Sequence, residues 1–156
     1  MSDDKTFCKS LTVRYIHIAD FLKSKVIVQS VTDETRFVKC EALWDTGADY
    51  SAIRKEVAKE LGLKSVGKVL VASPDKKRTP NRKMYCINLN LSSGIEFSNV
   101  NVVEPKNSRW DIIIGMDIIS RGDFAVTHYN GKTVFSFRIP SMCTINFKRS
   151  PCIEGE

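Results

Sequence analysis

Asp45 sits in unusual company for a carboxylate. It follows the alternating run FVKCEALW (37–44) and precedes Thr46, Gly47 and Ala48. A charge set between an apolar run and a glycine needs a partner. Gly47 permits a sharp turn and bares a backbone N–H close to the acid. Thr46 brings a hydroxyl that can hydrogen-bond and a methyl that can pack, and Ala48 leaves room. Two readings fit these residues: a carboxylate presented at the floor of a cleft by backbone donors, or a plain turn closed by an Asx bond. About seventy residues on, IIIGMD (112–117) repeats the order of apolar run, glycine and short helix. Gly115 would let that run pass close behind the first.

The elements that must position these residues are mainly strands. In 37–44, Val38, Cys40, Ala42 and Trp44 share one face while Lys39 and Glu41 share the other, which predicts a half-buried strand running into Asp45. VIVQSV (26–31) precedes it across the polar TDETR and predicts a hairpin. LTVRYIHI (11–18), KVLVA (68–72), MYCINLNL (84–91) and FSNVNVV (97–103) add further strands. WDIIIG (110–115) reads as a strand buried on both faces. FAVTH and TVFSFRI flank Asn130-Gly131, a strong hairpin signal, and CTINF (143–147) could form a last edge strand. Only SAIRKEVAKELG changes period: Ile53, Val57 and Leu61 predict a helix, with Ser51 or Asp49 as its cap and Gly62 as its stop. MDIIS adds about one helical turn. The fold class is therefore mainly β, a closed or sandwich-like domain.

Bulk properties narrow the rest. The 156 residues suit one domain, and 42% hydrophobic content suffices for a core. The net charge of +6 favours acidic partners through long-range attraction. KKRTPNRK (76–83) concentrates five of the basic residues. Five cysteines without a CxxC pair and two distant histidines argue against zinc. Cys40 and Cys86 read as small core residues, reduced in a cytoplasmic protein. No signal peptide and no apolar run of membrane-spanning length is visible. No P-loop or Rossmann glycine pattern implies a cofactor. His128 has no serine or cysteine motif with it and reads as a strand-end residue.

LWDTGADYSAI (43–53) followed by WDIIIGMDII (110–119) resembles the retropepsin-like aspartic proteases, single-lobed relatives of pepsin. The match runs from about Val26 to Ile139. Asp45, Thr46, Gly47, Ala48, Asp49 and Ser51 fit the active-site motif, and Ile113, Ile114 and Gly115 fit the hydrophobic-glycine motif. The resemblance implies a closed acid-protease β barrel, with one α-helix after the active-site loop and a short helix after the second motif. It divides the chain into an N-terminal extension (1–25, an added strand or a removable segment), a protease domain (26–140) and a C-terminal tail (141–156) that could supply a dimer-interface strand.

No second Asp-Thr-Gly or Asp-Ser-Gly exists, so the resemblance implies a homodimer in which two copies of Asp45 form the catalytic pair. It makes Thr46 a cross-dimer hydrogen-bonding residue and Gly47 a backbone that faces the substrate. Asp49 becomes a binder of substrate main chain, beside its other reading as a helix cap. Val71, Ala72, Ile112 and Ile114 become pocket residues. Neither a metal nor a cofactor is implied.

Two features depart from the family. The flap segment (69–86) lacks glycine and carries two prolines and the basic run, so it reads as a longer, stiffer flap, as one that prefers acidic peptides, or as a solvated charged loop. Met116 stands where viral members often carry an arginine, which leaves Asp49 in need of another partner. The sequence favours an endopeptidase over a non-catalytic peptide-binding or dimerisation module. It gives little support to nucleic-acid binding, since the basic run lacks interleaved aromatics.

Overall fold

The computed structural model describes residues 8–70 and 81–148. Ten strands and two short α-helices are formed among them. β1 (Lys9–Arg14), β10 (Val134–Ile139) and β9 (Asp123–Thr127) make a three-stranded antiparallel sheet in the order β1-β10-β9. The second sheet runs β2 (Lys23–Ser30), β3 (Phe37–Trp44), β8 (Ile112–Ile114), β4 (Ala52–Ile53), β7 (Glu96–Val103), β6 (Arg82–Leu91) and β5 (Gly67–Val69). Pairing of β2 with β6 closes six of these strands into a barrel, with β5 hung on the outside of β6. Closure removes the open edges that would otherwise invite aggregation.

The alternation read from the sequence is the alternation that is buried. In β6, Tyr85, Ile87, Leu89 and Leu91 all face the core. Ala42 and Trp44 do so in β3. The predicted β2–β3 hairpin is present, with Val26 opposite Cys40 and Val28 opposite Val38. Asn130 and Gly131 both take positive φ (51° and 69°) and turn the chain between β9 and β10. Trp44 joins the two sheets: its ring lies 5.6 Å from Phe124, 5.6 Å from Phe135 and 5.1 Å from Phe137. Its indole N–H donates to Ser24 Oγ at 2.9 Å, so the buried polar atom is satisfied.

The helix after the active-site loop is shorter than its sequence pattern. α1 spans Lys55–Glu60, with Arg54 at its N-cap and no side-chain cap bond. Neither Ser51 nor Asp49 caps it. Ala52 and Ile53 instead form β4, which bridges β8 and β7. Ile53 is fully buried in either arrangement, so four-residue spacing could not separate the two, and strand pairing decided. Val57 and Leu61 do form the buried helical face, and the chain leaves the helix at Gly62.

Two further expectations change. Cys86 lies on the outward side of β6 rather than in the core, whereas Cys40 packs against the core. Residues 143–147 are exposed and form no strand within this chain. Their neighbours are pinned: Asp123 accepts from the Ser141 hydroxyl (2.5 Å), the Met142 N–H (2.9 Å) and the Arg138 guanidinium (2.7 Å). Among the described residues no helix is long and apolar enough to cross a membrane.

Candidate active site

β3 delivers Asp45 to the end of the barrel beside β8. The two strands run parallel, with Trp44 opposite Ile114, and the Asp45 N–H donates to the Ile114 carbonyl at 2.9 Å. The chain then loops around the C-terminal end of β8 and returns on its far side as β4, which is antiparallel to β8. β8 is thus held between the strand before the loop and the strand after it.

Within the loop the half-buried Asp45 carboxylate accepts the Gly47 N–H at 2.9 Å, and the Ala48 N–H returns to the Asp45 carbonyl at 3.2 Å. Both readings of the sequence anticipate such a bond, so it does not by itself separate a catalytic acid from an Asx turn. Thr46 and Gly47 are exposed and Ala48 is half-buried. Asp49 is exposed, and among the described residues its carboxylate has no ion pair.

The crossing of loop and strand needs Gly115. A Cβ there would lie 2.7 Å from the Tyr50 carbonyl carbon, 2.8 Å from Ala48 O and 2.9 Å from Tyr50 O, all backbone atoms. The close approach seen in the sequence is real, and it is made with the loop after Asp45. Side chains then fasten the crossing. Ser51 is fully buried, and both its N–H (2.9 Å) and its hydroxyl (2.8 Å) donate to one Asp117 oxygen, while its Oγ accepts the Gly115 N–H at 3.1 Å. Met116 N–H reaches Ala48 O at 2.8 Å, and Asp117 N–H reaches Asp49 O at 3.3 Å. α2 (Met116–Ile119) follows directly.

Sequence reasoning missed Asp117 as a positioning residue and took Ser51 for a cap. The available signal was an acid in the otherwise apolar stretch GMDII, which needs a donor nearby. The substrate-pocket expectation for Ile112 and Ile114 also changes. Both side chains are fully buried, because alternate residues of β8 face the core, and the half-buried residue on the opposite face is Ile113, paired with half-buried Leu43. Val71 and Ala72, with most of the flap segment, lie outside the described residues.

Burial, then the Asp111 charge, pushes the Cys40 thiol up to about 12, so it stays protonated and unreactive. Burial and the hydrogen bond to Glu104 push Tyr85 up to about 12. The described cysteines are free thiols.

A closed barrel whose acid-bearing loop wraps a hydrophobic-glycine strand defines a protein of the acid-protease class, built as one retropepsin-like lobe. A family model described as aspartyl protease matches residues 30–118, more than half of the chain. The chain belongs to the aspartyl protease family. Among solved structures, a retropepsin-like aspartic protease from Rickettsia conorii aligns with a TM-score of 0.51 at 17% identity, over 85% of this chain and 95% of that one. Simian foamy virus protease aligns at 0.43 and 12% identity, over 64% and 92% respectively. The retroviral protease-like domain of Ddi1 from Leishmania major aligns at 0.39 and 20% identity, over 72% and 92%. At 17% identity the Rickettsia likeness is one of fold. No curated protein matches the sequence.

Proposed function

We propose that the chain is an aspartic endopeptidase that works as a homodimer, with the two copies of Asp45 meeting on the two-fold axis. The observation that carries this reading is the half-buried Asp45 carboxylate, offered at a rim of the barrel by a loop that is itself fastened to β8. One chain supplies one such acid, and the chemistry of the family needs two.

Two carboxylates about 3 Å apart cannot both ionise cheaply, so the pair holds one proton between them, as is known of aspartic-protease dyads generally. It titrates as a unit. The ionised member takes a proton from a water, and the protonated member donates to the substrate carbonyl as the water attacks. Cleavage then needs no acyl-enzyme.

The substrate lies extended, with its backbone meeting the Gly47 peptide and the exposed Asp49 carboxylate. Its apolar side chains rest on the outward face of Leu43 and Ile113. Thr46 hydrogen-bonds across the axis.

The test is hydrolysis of an unfolded protein at mildly acidic pH, read together with mass in solution. A dimer should cut, and Asp45→Asn should abolish cutting while leaving the circular dichroism and the dimer intact. Hydrolysis by a strict monomer, or by the Asp45→Asn variant, would sink the reading.

A further inference from the structure

A group of rings and cations gathers where the chain enters β2 and β8. The antiparallel register sets Lys23 opposite Leu43, and the Trp44 N–H donates to Leu22 O (2.8 Å), so Phe21 precedes β2 at the end of the pair where Asp45 follows β3. Phe21 is 43% exposed, and its ring lies 5.3 Å from that of Trp110 at the entry to β8. The Arg109 guanidinium covers both, 4.5 Å from Phe21 and 4.7 Å from Trp110, and Lys23 Nζ lies 5.7 Å from Trp110. The exposed Phe21 and the half-buried Trp110 together form a surface suited to a flat or apolar side chain.

Arg109 also lines a cleft of about 630 Å³, whose other cations are Arg54, Lys55, Arg82 and Lys106. Among the described residues, Glu56 and Glu104 are the acids that oppose them there. The acids around this region already have internal partners: Glu41 pairs with Lys23 (3.0 Å), Asp111 with Arg54 (2.6 Å), and Glu104 accepts the Tyr85 hydroxyl (2.6 Å). Glu56 lies 3.6 Å from Arg54. Among the described residues, Lys55, Arg82, Lys106 and Arg109 have no ion pair. Among the described residues the cleft is therefore cationic in excess, and the stacked Arg109 connects it to the rings of Phe21 and Trp110.

We propose that this face makes the protein selective for acidic peptides. The substrate stacks a ring-bearing side chain on Phe21 and Trp110, and sets a carboxylate a few residues away into the basic cleft. Arg109 is the specificity-determining residue, because it alone lies in both parts and is held in place by two rings. The inference rests on the reading that substrate passes Asp45, and it adds the chemistry of what is chosen there.

The experiment uses decapeptides with a central Phe and with Glu, Gln or Lys at each other position in turn. Cleavage by the native protein and binding to the Asp45→Asn variant are both measured. Glu peptides should be favoured over Lys peptides by about fivefold, the size expected of solvent-exposed ion pairing. The preference should collapse near 1 M salt, where the screening length falls to about 3 Å. Arg109→Gln, a mild change, should weaken it without loss of fold, and Arg109→Glu should weaken it further, since four cations still face three acids in that variant.

Preferential binding to the Asp45→Asn variant that follows Arg109 upholds the inference even if no peptide is cut, an outcome that would fail only the catalytic reading. Equal handling of Glu and Lys peptides, a preference untouched by both Arg109 variants, or no binding up to millimolar peptide would overturn it.

Discussion

Trp44 and Asp45 are adjacent in the chain and are held by different physics. Trp44 turns inward onto Phe124, Phe135 and Phe137, where ring area supplies the stability and direction matters little. Asp45 turns outward, where there is no area to gain. Its loop is placed by directional bonds: Ser51 to Asp117, Gly115 N–H to Ser51, Met116 N–H to Ala48. A region that must leave a carboxylate accessible gives up burial and depends on hydrogen-bond geometry. A region that need only hold two sheets together depends on packing. Damage to the first should therefore fall on activity and damage to the second on stability.

The largest expected effect is on the packed side. Phe135→Ala, at a fully buried position, should cost about 3–5 kcal/mol in denaturant unfolding. Whatever folded protein survives should keep its peptide-binding selectivity; a loss of selectivity without a loss of stability would break the distinction between the two regions.

Gly115→Ala should come next. The new methyl would meet backbone atoms rather than a movable side chain, so the loop must shift, at a cost of about 3 kcal/mol. Activity should fall further than stability. Wild-type activity in this variant would mean that the crossing is looser than the distances imply.

Asp117→Ala leaves the Ser51 N–H and hydroxyl without their acceptor and should cost about 2 kcal/mol. Because Asp117 lies below the loop and not on its open face, kcat should drop while KM changes little. The reverse pattern would make Asp117 a substrate contact.

The smallest effect concerns a second polar clasp, far from Asp45 in sequence. The Met142 N–H, the Ser141 hydroxyl and the Arg138 guanidinium hold the Asp123 carboxyl well below the usual carboxylate range. A folded-state value below the unfolded one stabilises at pH above the unfolded value, near 4, and that contribution is lost as pH falls further. Thermal stability should therefore decline on acidification below about pH 4, and Asp123→Asn should make that decline shallower. Identical slopes in the two proteins would show that hydrogen bonding does not anchor residues 141–142 in solution.

Much of this architecture was legible because alternation and turn chemistry are local. Tyr85 to Leu91, Val38 to Trp44 and Asn130-Gly131 adopt the conformations their own neighbours dictate. The Asp-Thr-Gly and Ile-Ile-Gly signatures were legible too, since each needs only a few residues in order. Where periodicity was ambiguous, sequence reasoning went astray. Ile53 is as apolar in a strand as in a helix, and Ile112 and Ile114 are as apolar in a core as in a pocket.

The chain's amino-acid order alone determined its strand-rich character, the single Asp-Thr-Gly loop and the glycine that the crossing requires, because these follow from side-chain type at short range. Three-dimensional pairing decided that Ser51 is a buried tie and not a cap, that Ile113 and not its neighbours faces outward, and that Phe21 comes to lie against Trp110. Each of those depends on which segments meet across the barrel, and contacts between residues so far apart along the chain leave no periodic mark in it.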